Sequence, residues 1–194
     1  MQRSFPEARD YLSANIFGTD YPTKHLIEQS RNMGFITRGM QGRGAEPVSS
    51  KDMATLICAS LAGDTPQSAT DALRVIKELY PNTSCLGPNE LVLGFVSEEW
   101  RKWNLLETIA ALIDQSRNDY EVDFSELSIT ICRQPVMYGK ISWNTDPRER
   151  DDLLIFEQKG LKRIKPDGRR RVDVSYPSDI LRDVADWFED RMEH

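Results

Sequence analysis

Leu127-Ser128-Ile129-Thr130-Ile131-Cys132 sets apolar side chains at every second position, with a hydroxyl or thiol side chain after each. A repeat of two puts Leu127, Ile129 and Ile131 on one face of a pleated strand and Ser128, Thr130 and Cys132 on the other. Here the periodicity leaves 3.6, so this stretch decides the fold class. Downstream, Val136–Trp143 reads as a partner strand after the break at Gln134-Pro135, Leu153–Phe156 as a third strand and Arg171–Val174 as a fourth. The turn Lys165-Pro166-Asp167-Gly168 separates the last two. The chain then returns to helical spacing, with Ile180, Leu181, Val184, Trp187 and Phe188 on one stripe of a helix over Ser178 to Arg191.

Upstream, the spacing is helical. Phe5–Phe17 is a short amphipathic segment, and a helix over Thr23 to Met33 buries Leu26, Ile27 and Met33, with Gly34 placed to end it. A third helix covers Ser50 to Ala62, with Met53, Leu56, Ile57 and Leu61 as its stripe and Gly63 as its stop. Thr65 as N-cap and Pro66 at the first helical position open a fourth over 66–80, with Ala69, Leu73, Ile76 and Leu79 facing the core. So short a connection requires helices 50–62 and 66–80 to form an antiparallel hairpin. Leu91–Val96 is read either as a short strand or as the approach to the next helix. Ser97 caps a long helix to Ser116, apolar over more than one stripe (Trp103, Leu105, Leu106, Ile109, Ala110, Leu112, Ile113) and hence expected to be the most buried. Helices first and strands later predict an α+β fold. A helical bundle over 1–118 precedes a small antiparallel sheet and C-terminal helix over 119–194, either as two domains or as one continuous one.

At 194 residues, 39% hydrophobic and 29% charged, the chain has the make-up of a globular protein able to bury a sizeable core. No apolar run is long enough to span a bilayer, and no signal peptide is recognised at the start. Cys58, Cys85 and Cys132 lie far apart; Cys58 and Cys132 fall in runs where small buried hydrophobes belong, and a reducing cytoplasm fits the set. His25 has no second His or Cys at ligand spacing, and no P-loop, G-x-S-x-G elbow or metal-binding motif occurs. No catalysis, cofactor, nucleotide or metal is therefore expected.

Two basic clusters remain. One is Thr37-Arg38-Gly39-Met40-Gln41-Gly42-Arg43-Gly44, a glycine-spaced loop that presents Arg38 and Arg43 on a tight turn before Ser49 or Ser50 caps the next helix. Asp52 suits the positive end of that helix. The other is Lys159, Lys162, Arg163, Lys165, Arg169, Arg170 and Arg171, read as the tip of a charged hairpin between two strands. Such a ribbon straddles a phosphate backbone, or else it is a solvated hairpin whose cations offset the acidic C-terminal helix (Asp179, Asp183, Asp186, Glu189, Asp190).

The run Asn32-Met33-Gly34-Phe35-Ile36-Thr37-Arg38, followed by Val48-Ser49-Ser50-Lys51-Asp52-Met53-Ala54-Thr55-Leu56, resembles short stretches in bacteriophage and prophage regulatory proteins. There a basic glycine-rich turn leads into a Ser/Thr-capped helix. It is also distantly similar to the wing and following helix of MerR-type regulators. The resemblance implies a non-enzymatic, cytoplasmic DNA-binding regulator, with a homodimer allowed. Arg38, Arg43, Lys162, Arg163, Lys165, Arg169, Arg170 and Arg171 would contact the phosphates of duplex DNA. The alternative is a phage-encoded inhibitor of a host defence system, anti-CRISPR-like, that binds a host protein complex. It would use acidic and aromatic surface (Trp100, Trp103, Trp187), as the formal net charge of −6 favours.

Overall fold

Ser49 starts the helix around which the described elements pack. Its hydroxyl accepts the Asp52 N–H and the Asp52 carboxylate accepts the Ser49 N–H, a reciprocal cap opening α3 (Ser50–Ala62). The computed structural model describes residues 2–18, 20–38, 46–82, 100–118, 127–134, 137–143, 152–159, 172–176 and 179–191. Before α3 come α1 (Phe5–Tyr11), continued by a π-helical turn over Leu12–Ile16, and α2 (Thr23–Asn32), ended by Gly34 at φ +75°. After it come α4 (Pro66–Ile76), β1 (Leu79–Pro81), α5 (Leu105–Asn118), β2 (Leu127–Gln134), β3 (Tyr138–Trp143), β4 (Asp152–Gln158), β5 (Val172–Tyr176) and α6 (Ile180–Glu189). The fold is α+β: six helices and a five-stranded antiparallel sheet are described, and a helix closes the chain.

The sheet runs in the order β1-β4-β3-β2-β5. The two-residue repeat puts Ile129 between Ile141 and Tyr176, and Ile131 between Gly139 and Val174, all on the core side. On the opposite face the Ser128 and Ser142 hydroxyls lie 2.7 Å apart, and those of Thr130 and Ser175 2.8 Å apart. Helix α3 lies against β2, β5, α4 and α5, and α5 also carries α6. One hydrophobic core joins residues of α1 to α6 with all five strands.

Three expectations are corrected. Helix α4 stops at Ile76 rather than continuing to 80, and Leu79, fully buried, pairs with Gln158 as part of an edge strand. Pairing with β4, far away in sequence, overrides the local helical spacing. Helix α5 begins at Leu105, since the Asn104 carboxamide accepts the Glu107 N–H and the Glu107 carboxylate accepts the Asn104 N–H. Trp103 therefore precedes the helix, while the expected cap Ser97 lies outside the described residues. The most enclosed helix is α3, buried at every position except Lys51, because it is covered on several sides at once; α5 keeps Asp114 and Asn118 exposed.

Candidate functional site

Asp52 is 3% exposed and gathers both ends of the basic loop onto one carboxylate. Oδ1 accepts the Thr37 backbone N–H at 2.8 Å. Oδ2 accepts the Thr37 hydroxyl at 3.1 Å, the Ser49 N–H at 2.9 Å and the Ser49 hydroxyl at 2.7 Å. The Val48 N–H donates to the Arg3 carbonyl at 2.9 Å, which pins the segment before α3 to the amino-terminal segment. Arg38, next to the clamped Thr37, is exposed. Among the described cations, Arg38 and Lys140 make no ion pair, hydrogen bond or ring contact with a described residue. Arg43 lies outside the described residues, as do Lys162, Arg163, Lys165, Arg169, Arg170 and Arg171.

The positive end of α3 is occupied by the chain's own acids. Beside Asp52, the Ser50 hydroxyl donates to Asp114, which also pairs with Arg117 at 3.3 Å, and Lys51 stands 3.6 Å from Glu107. Carboxylates already satisfy this helix terminus, which leaves it poorly suited to a further anion.

The acidic carboxyl-terminal helix finds its cations locally. Arg3 bonds the Trp187 carbonyl at 2.6 and 2.8 Å and Asp190 at 2.8 Å. Arg117 bonds Glu189 at 2.9 Å, and Arg191 stands 3.2 Å from Asp186. The Arg117 bond holds the Glu189 carboxyl below its ordinary range. Arg3 and Arg117 also lie over the Trp187 and Phe188 rings. These cations sit at the negative end of α6, where they stabilise both the dipole and the side-chain acids.

Asp183 is the exception. Although the residue is exposed, partial desolvation of its carboxyl, then the charges of Asp179 and Asp186, push that carboxyl above the ordinary range. The nearby Tyr11 hydroxyl is buried without a hydrogen-bond partner. A raised folded-state value means that stability is full below the unfolded carboxylate range and is lost as pH rises through the folded value. Asp183→Asn should therefore melt higher than the wild type at about pH 7, and the advantage should vanish near pH 3. Thermal melts at the two pH values check this, and an equal or lower melting temperature at neutral pH would refute it.

At the other end of α3, Arg133 of β2 donates to the Leu61 carbonyl at 2.6 Å and bonds Asp64 at 2.6 Å. The Tyr176 and Ser60 hydroxyls lie 2.9 Å apart, and the Tyr21 hydroxyl donates to the Gly63 carbonyl at 3.4 Å. Burial pushes Tyr21 up to about 12 and raises Tyr176 and Cys58 as well, so all three stay protonated at neutral pH. Val172, where β5 begins, pairs with Gln134 beside Arg133. Val172 thus lies next to the residue that holds the carboxyl-terminal end of α3, whereas Thr37 is held at its amino-terminal end. The thirteen residues of α3 span about 20 Å.

The charged segment is not the tip of a hairpin between neighbouring strands. It joins β4 to β5, which have β3 and β2 between them, three strand spacings or roughly 14 Å. Sequence periodicity identifies strands but carries no information on their order. The aromatic surface expected for protein binding is also altered: Trp187 is 6% exposed and stacks on Tyr11 at 5.1 Å. Trp103 is half-buried against the core, and the Trp100 side chain lies outside the described residues.

His25 is exposed beside Glu28, and no group of three or more potential metal ligands occurs among the described residues. No described helix is long and apolar enough to cross a membrane. No protein-family model, curated protein or solved structure matches the chain.

The sequence reading missed the tie from Asp52 to Thr37. An acid in the first turn of a Ser-capped helix was legible, but the Thr37 partner of Asp52 lies 15 residues away across the glycine loop.

Proposed function

We propose that the protein is a DNA-binding regulator of phage or prophage type, acting in the cytoplasm, that contacts duplex phosphates through Arg38, Arg43 and the 162–171 cluster. The observation that carries this reading is Arg38: an exposed guanidinium without a partner among the described residues, one residue beyond a clamped backbone. Most other described cations already have partners within the fold. The bland alternative for 162–171 loses part of its motive, because Asp186, Glu189 and Asp190 pair with Arg191, Arg117 and Arg3.

Affinity for duplex DNA should fall with salt at a slope of roughly 0.9 per phosphate neutralised. Replacing Arg169, Arg170 and Arg171 together with Ala should flatten that slope by up to about 3 while leaving the melting temperature nearly unchanged. Titrating labelled duplex at several salt concentrations tests this. A wild type without salt-dependent binding at low ionic strength sinks the reading.

The net charge of −6 favours a second reading, an inhibitor of a host defence complex acting by protein contact. Burial of Trp187 removes one of its three aromatic anchors. Co-purification of a host protein complex that withstands nuclease treatment supports this reading over the first.

A further inference from the structure

Four hydrogen bonds converge on a carboxylate that a helix cap alone would not need. A capping Asp requires only the local Ser49 contacts. Asp52 goes further and takes both polar groups of Thr37, the backbone N–H and the hydroxyl, from the far side of the glycine loop. Thr37 and Ser49 are thereby held on one anchor, and Arg38 departs from a fixed backbone position. Ile36 and Val48, each 5% exposed, bury the chain on both sides of the anchor, so the loop's two ends are set by packing as well as polar contact.

We propose that Asp52 is the positioning residue of the basic loop: it sets the direction in which Arg38 leaves the fold, and DNA affinity depends on it although it is buried. The affinity part rests on the DNA-binding reading; the clamp itself does not.

Charge and position make opposite predictions, which isolates the effect. Asp52→Asn removes a negative charge close to Arg38, and Coulomb attraction alone would tighten binding to a polyanion. The clamp makes the opposite demand. Whichever way the new amide is turned, its NH2 faces a backbone N–H that formerly met an acceptor, either that of Thr37 or that of Ser49. One end of the anchor is lost, and Arg38 loses its fixed departure.

The experiment uses the full chain at a temperature where circular dichroism shows the variant folded. Asp52→Asn should bind a labelled duplex about five- to tenfold more weakly, as when one phosphate contact is misplaced. Its first tryptic cut after Arg38 should come about tenfold faster, because local opening at the anchor becomes easier. Thr37→Val breaks only the hydroxyl arm, leaves the α3 cap intact, and should move both readouts in the same direction by less. It serves alone if Asp52→Asn does not fold. Unchanged cleavage after Arg38, or binding as tight as wild type or tighter in a folded variant, overturns the proposal. If the wild type binds no duplex, the DNA reading fails, and the cleavage rates alone decide the clamp.

Discussion

Leu56→Ala should lower the unfolding free energy by about 2–5 kcal/mol. Leu56 is fully buried in the middle of α3, and the residues on either side of it along the helix, Asp52 to Ala62, are buried too. A helix packed against α4, α5 and the sheet cannot shift toward one neighbour without leaving another. The space left by the isobutyl group therefore stays largely open, and the loss falls toward the upper part of the range. Urea unfolding measures it through the midpoint at constant m-value. A loss below about 0.5 kcal/mol would mean that Leu56 is not enclosed as described, since that is the scale of a surface substitution.

Gly63→Ala is expected to cost about 1–3 kcal/mol or more through overpacking. A methyl group built on Gly63 falls 2.6 Å from the Ala69 Cα and 2.6 Å from the Ser68 carbonyl carbon, well inside contact distance. These are backbone atoms of the first turn of α4, so they cannot turn aside as a side chain would. Either α4 moves off α3 or the connection between them opens. The Gly63 backbone itself is extended, at φ −147°, and any residue adopts that conformation. The cost is thus one of space, and Gly63→Ser should be no better tolerated than Gly63→Ala. A melting temperature equal to the wild type's in both variants would rule out the close approach. Gly34 is the contrasting case, with open space around it and φ +75°, where a substitution meets backbone strain instead.

Much of the candidate site could be read along the chain, and the rest could not, for a consistent reason. The capped helix after the glycine loop was legible because Ser49 and Asp52 act over three residues. Its anchoring of Thr37, the pairing of Arg3 with Asp190 and the reach of Arg133 to Leu61 join residues 15, 187 and 72 positions apart. No periodicity records such contacts. The composition of the acidic helix suggested that distant cations would offset it, but its neighbours in space turned out to be Arg3, Arg117 and Arg191.

Element type was settled locally. The alternation from Leu127 onward is strand-forming wherever it is placed, and the Ser49, Thr65 and Gly34 signals act within a turn or two of the backbone. Strand order, the end of α4 and the most enclosed helix were settled by packing. Leu79 has helical spacing with Ile76, yet it lies in the sheet because β4 offers it a hydrogen-bonded edge and a buried side. Helix α3 carries Thr55, Cys58, Ser60 and four alanine or serine neighbours where a stripe would predict exposure, and their small size lets other elements approach it on every side. Local propensity acts through bonds and near neighbours along the chain, whereas burial is decided by which surfaces meet, and that is known only once the whole chain has folded.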